Sequence, residues 1–295
     1  MGAVNGTEKG TDMNELTLAN GVRMPQEGFG VFQIPDHNEA KRVVLDALAC
    51  GYRMVDTAAA YFNERAVGEA IRESGLPREA VFVETKIWVQ DYGYERTLRA
   101  IDAALERLGL DFIDLLLLHQ PIGDWPGAWR ALETAYRAGK LRAIGMANCY
   151  SHVLADVCLT AAIRPMVNQV EIHPFFQQEA NLATMRDYGV IPQAWGSLAE
   201  GGHGIFTHPV LADIGRAHGK TAAQVALRWA VQRGIAIIPK STHRERLAEN
   251  LAIWDFALTD DEMARIRTLD TGHSDIVNHF DPAFVKMLHT YRVHD

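Results

Sequence analysis

Short apolar runs recur along the chain roughly every thirty residues, the length of one strand plus one crossover helix, and five of them close on a polar side chain able to do chemistry. YRMVD ends on Asp56, VFVETK on Lys86, IDLLLLH on His119, LRAIGMAN on Asn148 and MVNQ on Gln169. Such spacing predicts a parallel barrel whose strand ends gather these five residues on one rim.

The rest of the pattern fills in that barrel. ELTLANGVRMP reads as a hairpin at the barrel's lower end, turning at Asn20-Gly21, where a pair of φ > 0 residues suits a tight turn. Eight barrel strands are predicted, at 28–33, 52–56, 81–86, 113–119, 142–147, 166–171, 190–195 and 235–240. Between them the period is helical, as at about 63–74, 94–108 and 127–138, and in TAAQVALRWAVQR, where Ala223, Val225, Ala226 and Trp229 share a face. Asp36 with Glu39 reads as a capping box opening a helix that Gly51 stops, and Thr259 with Glu262 adds a helix outside the alternation. The fold class is therefore α/β, a (β/α)8 TIM barrel with an N-terminal β-hairpin and extra C-terminal helices. Residues 15–295 form one domain, with residues 1–14 a flexible leader. The Gly-rich loop 198–208 and the tail from about 271 are expected on the rim, the tail lying over it.

Composition narrows the function. A chain of 295 residues with 48% hydrophobic content can bury one large core. Its net charge of −8 provides no basic face for nucleic acid or an anionic membrane. Cys50, Cys149 and Cys158 are odd in number and make no CxxC pair, which fits a reducing cytoplasm and neither a disulfide framework nor a zinc knuckle. No apolar stretch is long enough to span a bilayer. The partner expected is a small molecule, with the chain a monomer or weak homodimer.

Tyr61 follows Asp56 by five residues, where the chain leaves its strand, so its hydroxyl can face the rim centre. A phenol is a weak acid at neutral pH, with a reference pKa of about 10, unless a cation stabilises the phenolate. Lys86 is the available cation, Asp56 would hold the ammonium and keep it charged, and His119 could hydrogen-bond the oxygen of a bound carbonyl. Alone, each has a plain structural reading: a helix cap, a surface lysine, a core histidine, a packed tyrosine. Jointly Asp56, Tyr61, Lys86 and His119 make a proton-delivery device.

GYRMVDTAAAYFNE, VFVETKIW, DFIDLLLLHQP, LRAIGMAN, NQVEIHP and IPKSTHRERLAEN, in this order, resemble the signature segments of the aldo-keto reductases over about residues 15–290. The resemblance extends to bacterial members called 2,5-diketo-gluconate reductases. It implies an oxidoreductase that reduces aldehydes or ketones with NADPH, with Tyr61 as general acid and Lys86, Asp56 and His119 completing a tetrad. It also implies cofactor contacts at Gly30, Val31, Gly196, Leu198, Ser241 and Thr242.

The chain has neither the G-x-G-x-x-G fingerprint nor a P-loop, so a dinucleotide must be held differently. IPKSTHRERLAEN suggests how: Lys240 ends the last strand, Thr242 with Glu245 reads as a capping box, and the helix offers its first amides and Arg246 to an anion. Two cations beside a helix N-terminus suit the 2′-phosphate of NADPH, with Glu249 and Asn250 on the same face able to reach the adenine. Asn148 and Gln169 carry amides able to pair with the nicotinamide carboxamide, and Trp195 offers a face for stacking. Four positions depart from the family pattern: Ala147 for serine, Trp195 for tyrosine, and Gly196-Ser197 for Ser-Pro. Losing the serine hydroxyl removes one hydrogen bond, worth about 0.5–1.5 kcal/mol.

Phe32, Trp88 and Trp125, in the loop after His119, could wall an apolar substrate pocket for an uncharged carbonyl compound. Two other classes compete: a lysine-dependent barrel aldolase with Lys86 as Schiff-base former, and a regulatory barrel that binds NADPH with little turnover. A metal-dependent hydrolase is weaker, since no H-x-H pair or compact ligand cluster occurs, and no metal is expected.

Overall fold

The computed structural model describes residues 14–295, so the expected leader lies outside the described residues except for its last position. Two short antiparallel strands, β1 (Glu15–Thr17) and β2 (Arg23–Pro25), form the hairpin. Its turn is wider than the sequence suggests. Only Gly21 has positive φ, because the Asn20 side chain is an anchor that donates to the Arg142 carbonyl at 2.9 Å and accepts from the Val22 amide. Arg142 lies just ahead of a barrel strand, so this bond ties the hairpin tip to the lower ends of the strands.

Eight parallel strands follow: β3 (Phe29–Gly30), β4 (Met54–Asp56), β5 (Phe82–Ile87), β6 (Leu115–Leu118), β7 (Ile144–Ala147), β8 (Val167–Glu171), β9 (Ile191–Trp195) and β10 (Ala236–Ile237). Neighbours in sequence are neighbours in the sheet, and each strand overlaps its predicted window. The sheet closes between β3 and β10, where the Gly28 amide donates to the Ile237 carbonyl at 2.8 Å and the Ile237 amide to the Gln26 carbonyl at 2.9 Å. Closure leaves no edge strand and buries both faces of the strands, which is why they read as continuous apolar runs rather than alternations.

Helices wrap the sheet. His37–Cys50 is N-capped by Asp36, which accepts from the Glu39 amide at 2.8 Å, and is stopped by left-handed Gly51. Gly68 lies where helix Glu64–Glu73 crosses the end of helix Tyr94–Leu108. A Cβ there would sit 1.8 Å from the Leu108 carbonyl oxygen, so only glycine permits the approach. Asp260–Arg267 opens with a complete capping box between Thr259 and Glu262, and Pro282–Thr290 lies in the tail.

The tail returns to the rim. Its Tyr291 carbonyl accepts from Trp88 Nε1 at 2.9 Å, and its Ser274 hydroxyl donates to Glu171 at the end of β8 at 2.6 Å. Loop 198–208 is kinked, with non-helical backbone from Glu200 to His203, and His203 pairs with Asp275 of the tail at 3.0 Å.

Candidate active site

Parallel register sets the site. Asp56 on β4 pairs with Glu84 on β5, and Lys86 lies two residues further along β5, so Glu84 and Lys86 share one face of their strand. Lys86 Nζ donates to Asp56 Oδ1, to the Thr57 carbonyl at 3.1 Å and to the Tyr61 hydroxyl at 3.3 Å. Tyr61 comes from the 3-10 turn Ala59–Tyr61 directly after β4. His119 follows β6, its ring edge-on to Tyr61 with centroids 5.8 Å apart. Asp56, Tyr61, Lys86 and His119 therefore converge at one mouth of the barrel.

The electrostatics differ from the sequence expectation in one respect. Burial pushes the Tyr61 phenol up to about 12; the Lys86 ammonium opposes this, and the Asp56 charge offsets part of that opposition. The phenol is thus not acidified overall: the lysine only moderates a larger desolvation. Burial alone would push Lys86 down, but the Asp56 carboxylate, foremost among the groups around it, holds it above its ordinary value, so it stays a cation. His119 is held well below the usual imidazole range by burial and by the Lys86 charge, so its ring is neutral. Its Nδ1 is buried without a hydrogen-bond partner among the described residues, and a proton on Nε2 instead can be donated to a ligand at the barrel mouth. The site holds a protonated phenol and a neutral imidazole N–H side by side, two donors able to meet one carbonyl oxygen.

The aromatic wall is partly assembled. Phe32 lies against Tyr61 with centroids 5.0 Å apart and stays half exposed. Trp88 is buried, edge-on to His119 at 5.0 Å and to Tyr291 of the tail at 5.4 Å. Trp125 does not lie in the loop after His119 but opens helix Trp125–Arg137, half-buried against the core.

Around the rim, Asn148 is left-handed, and its amide donates to the His119 carbonyl at 3.1 Å and accepts from Trp195 Nε1 at 2.9 Å. Trp195, half-buried at the end of β9, is thereby fixed in orientation. Gln169 points its amide nitrogen into the barrel, within 3.1 Å of Asp56, 2.8 Å of Glu84 and 2.9 Å of Gln193, leaving its amide oxygen as the end able to meet a ligand. Gly30 and Val31 are buried beside the closing strand, where a Cβ on Gly30 would lie 2.8 Å from the Ile238 carbonyl oxygen. Gly196 is left-handed beside Ile276 of the tail, and Leu198 is half-buried.

Beyond β10, Lys240 and Arg246 are exposed, and neither forms an ion pair among the described residues. The capping box expected between Thr242 and Glu245 is not formed. Helix Arg244–Leu251 starts a residue later with His243 as N-cap and no side-chain cap bond, and Ser241 accepts from the His243 amide at 3.1 Å. The first amides of the helix are left open to an anion. Glu249 is engaged elsewhere, accepting from the Thr221 hydroxyl at 2.7 Å, while Asn250 is buried. Two uncompensated cations beside open helix amides fit a phosphate monoester.

Not anticipated from the sequence are Glu84 and Gln193. Both are fully buried, and Gln193 Nε2 donates to Glu84 at 2.7 Å. Their signal was present: Glu84 interrupts an apolar strand in phase with Lys86. Tyr291 carried no comparable mark.

Comparison with known proteins shows the family. The model of the aldo/keto reductase family matches residues 28–271. Glyoxal reductase of Bacillus subtilis is 45% identical over 260 residues, covering 86% of this chain and 92% of that protein. Among solved structures, a putative 2,5-diketo-D-gluconic acid reductase B is 41% identical with TM-score 0.86, covering 90% of this chain and 94% of that one. The Bombyx mori aldo-keto reductase in complex with NADP is 30% identical, also with TM-score 0.86, covering 93% and 97% respectively.

Proposed function

The chain belongs to the aldo/keto reductase family, and on that premise we propose that it reduces small aldehydes or ketones to alcohols with NADPH, Tyr61 giving the proton to the carbonyl oxygen. The observation that carries the assignment of roles is the Lys86 ammonium, bonded at once to Asp56 and to the Tyr61 hydroxyl. When bound, NADPH supplies the hydride that reaches the carbonyl carbon. The chain's own residues do the rest. The His119 N–H and the Tyr61 hydroxyl hold the carbonyl oxygen, and the Tyr61 proton passes to that oxygen as negative charge builds on it. Lys86 stabilises the phenolate left behind until solvent returns the proton. Asp56 keeps the ammonium in place.

Lys240, Arg246 and the open amides of helix Arg244–Leu251 would hold the 2′-phosphate, with Ser241 and Thr242 beside them. Asn148 and the Gln169 amide oxygen would meet the carboxamide, and Trp195 would stack on the ring. Phe32 and Trp88 would line the substrate side, which favours an uncharged carbonyl compound. The aldolase reading is not favoured, since a lysine held above its ordinary pKa and bonded on three sides is a poor Schiff-base former.

Among the described residues no helix is long and apolar enough to cross a membrane, and no group of three or more His, Cys, Asp and Glu side chains is placed to hold a metal ion. We place the protein in the cytoplasm, as a monomer or weak homodimer acting on a small molecule. A panel of aldehydes and ketones, followed by loss of NADPH absorbance, tests the reading. Turnover of at least one carbonyl, with a clear preference for NADPH over NADH, is expected; no turnover across the panel would contradict it.

A further inference from the structure

Beneath the tetrad lies a polar cluster that the reaction as described does not use. Asp56, Glu84, Lys86, Gln169 and Gln193, from β4, β5, β8 and β9, are each no more than 2% exposed. Two carboxyl groups thus share one ammonium in a closed space. The titratable and charged neighbours of Glu84 are Asp56 on β4, Lys86 on its own strand and Tyr61 after β4; the other polar groups facing it are the neutral amides of Gln169 and Gln193. Both carboxyls ionised would leave one uncompensated buried negative charge, which is prohibitively costly.

Hydrogen bonds tie the two carboxyls together. The Gln169 amide has two hydrogens but faces three acceptors: Asp56 Oδ1 at 3.1 Å, Glu84 Oε1 at 2.8 Å and Gln193 Oε1 at 2.9 Å. Gln193 Nε2 serves the other Glu84 oxygen at 2.7 Å. Lys86 also donates to Asp56 Oδ1, so the Gln169 hydrogens can serve Glu84 and Gln193 while one amide nitrogen bridges the two carboxyls. Asp56 and Glu84 are paired across β4 and β5 and both reach the same Gln169 nitrogen, so a proton on Glu84 can be given to Asp56 as a hydrogen bond between the two carboxyls.

We propose that Glu84 is a positioning residue of the reductase site, its carboxyl carrying one proton that it donates to Asp56, so that Asp56 presents a single fixed negative charge to Lys86. Glu84 touches neither substrate nor cofactor; it acts through Asp56 and Lys86 on the Tyr61 hydroxyl. Desolvation first, and repulsion by Asp56 second, hold its carboxyl well above the usual range, in keeping with a proton retained at neutral pH. Ionising Glu84 would add negative charge under Tyr61 and make the phenol a weaker acid, so the proton on Glu84 also protects the acidity of Tyr61.

The inference rests on the reductase reading, and two measurements separate them. The first needs no turnover: the infrared difference between wild type and Glu84→Gln at neutral pH should contain the carbonyl stretch of a protonated carboxylic acid, lost in the variant. The second is kinetic. Glu84→Gln keeps a neutral hydrogen-bonding group and should keep kcat within about threefold, whereas Glu84→Leu should lower kcat about tenfold to a hundredfold through misplacement of the tetrad, with the NADPH Kd from fluorescence titration unchanged. Glu84→Gln should also be less pH-dependent in kcat on the alkaline side than wild type. A missing acid band, or Glu84→Leu with wild-type kcat and pH profile, would overturn the proposal. So would Glu84→Gln as impaired as Glu84→Leu, since that outcome requires an ionised Glu84. If Glu84→Leu does not fold, the infrared band and the Glu84→Gln profile still decide. A wild type that shows the band yet turns over no carbonyl would overturn the reductase reading and leave the shared proton standing.

Discussion

Lys86 Nζ lies 3.3 Å from the Tyr61 hydroxyl, while the same ammonium is held by Asp56. The phenol therefore meets a cation that cannot move away from it and that desolvation fails to discharge. Replacing Lys86 with Met removes the one group that opposes desolvation of the phenolate. It should lower kcat about a hundredfold or more and, by leaving Asp56 buried without its partner, cost about 3–5 kcal/mol of stability. Steady-state kinetics with a parallel denaturant titration checks both effects; unchanged kcat would refute the role given to the ammonium.

Exposed Lys240 and Arg246 are assigned to the 2′-phosphate. The double variant Lys240→Ala with Arg246→Ala should raise the NADPH KM about tenfold or more and leave the NADH KM nearly unchanged, because only NADPH carries that group. Equal losses for the two cofactors would show that these side chains hold something common to both.

Glu27 closes the barrel through its bridge to Ile237, with one carboxyl oxygen bonded to Trp254 Nε1 at 2.9 Å and the other buried without a partner. Burial pushes its carboxyl up from 4.5 to about 8, the Trp254 bond opposing this. The folded state thus keeps a proton that the unfolded chain releases near pH 4.5, so the stability contributed below that pH is lost as pH rises towards 8. Between these limits the loss approaches about 1.4 kcal/mol per pH unit. Urea titrations across that range should show the decline in wild type and a much flatter profile in Glu27→Gln; the same slope in both would assign the pH dependence to other groups.

Gly68→Ala would place a Cβ against the Leu108 carbonyl oxygen. Alanine gains up to about 1 kcal/mol of helix propensity, but the contact is with backbone, which cannot swing aside, and overpacking of this kind costs about 1–3 kcal/mol or more. A fall in Tm of several degrees with kcat unaffected is expected; a rise in Tm would mean the two helices separate freely.

Much of this architecture was legible in the sequence, for a physical reason. A closed parallel sheet buries both faces of every strand, so each strand is a continuous apolar run, and a polar residue ending such a run stands out. Asp56, Lys86, His119, Asn148 and Gln169 were visible in that way. What could not be read was the balance between opposing terms at one group. Charge logic gives the sign of the Lys86 effect on Tyr61, but the larger desolvation depends on how completely the pocket closes over the phenol. Local hydrogen-bond competition decided one further detail: Asn20 spends its side chain on the Arg142 carbonyl instead of completing a two-residue turn. Tail contacts such as Trp88 with Tyr291 join residues about two hundred positions apart, and no periodicity marks them.

The claim on which all else depends is that the Tyr61 hydroxyl supplies the proton, and Tyr61→Phe tests it most directly. Single-turnover reduction with NADPH prebound should slow at least about a hundredfold to ten-thousandfold, the range for loss of a general acid, while NADPH Kd stays within about twofold. A variant that reduces carbonyls at the wild-type rate would contradict the account.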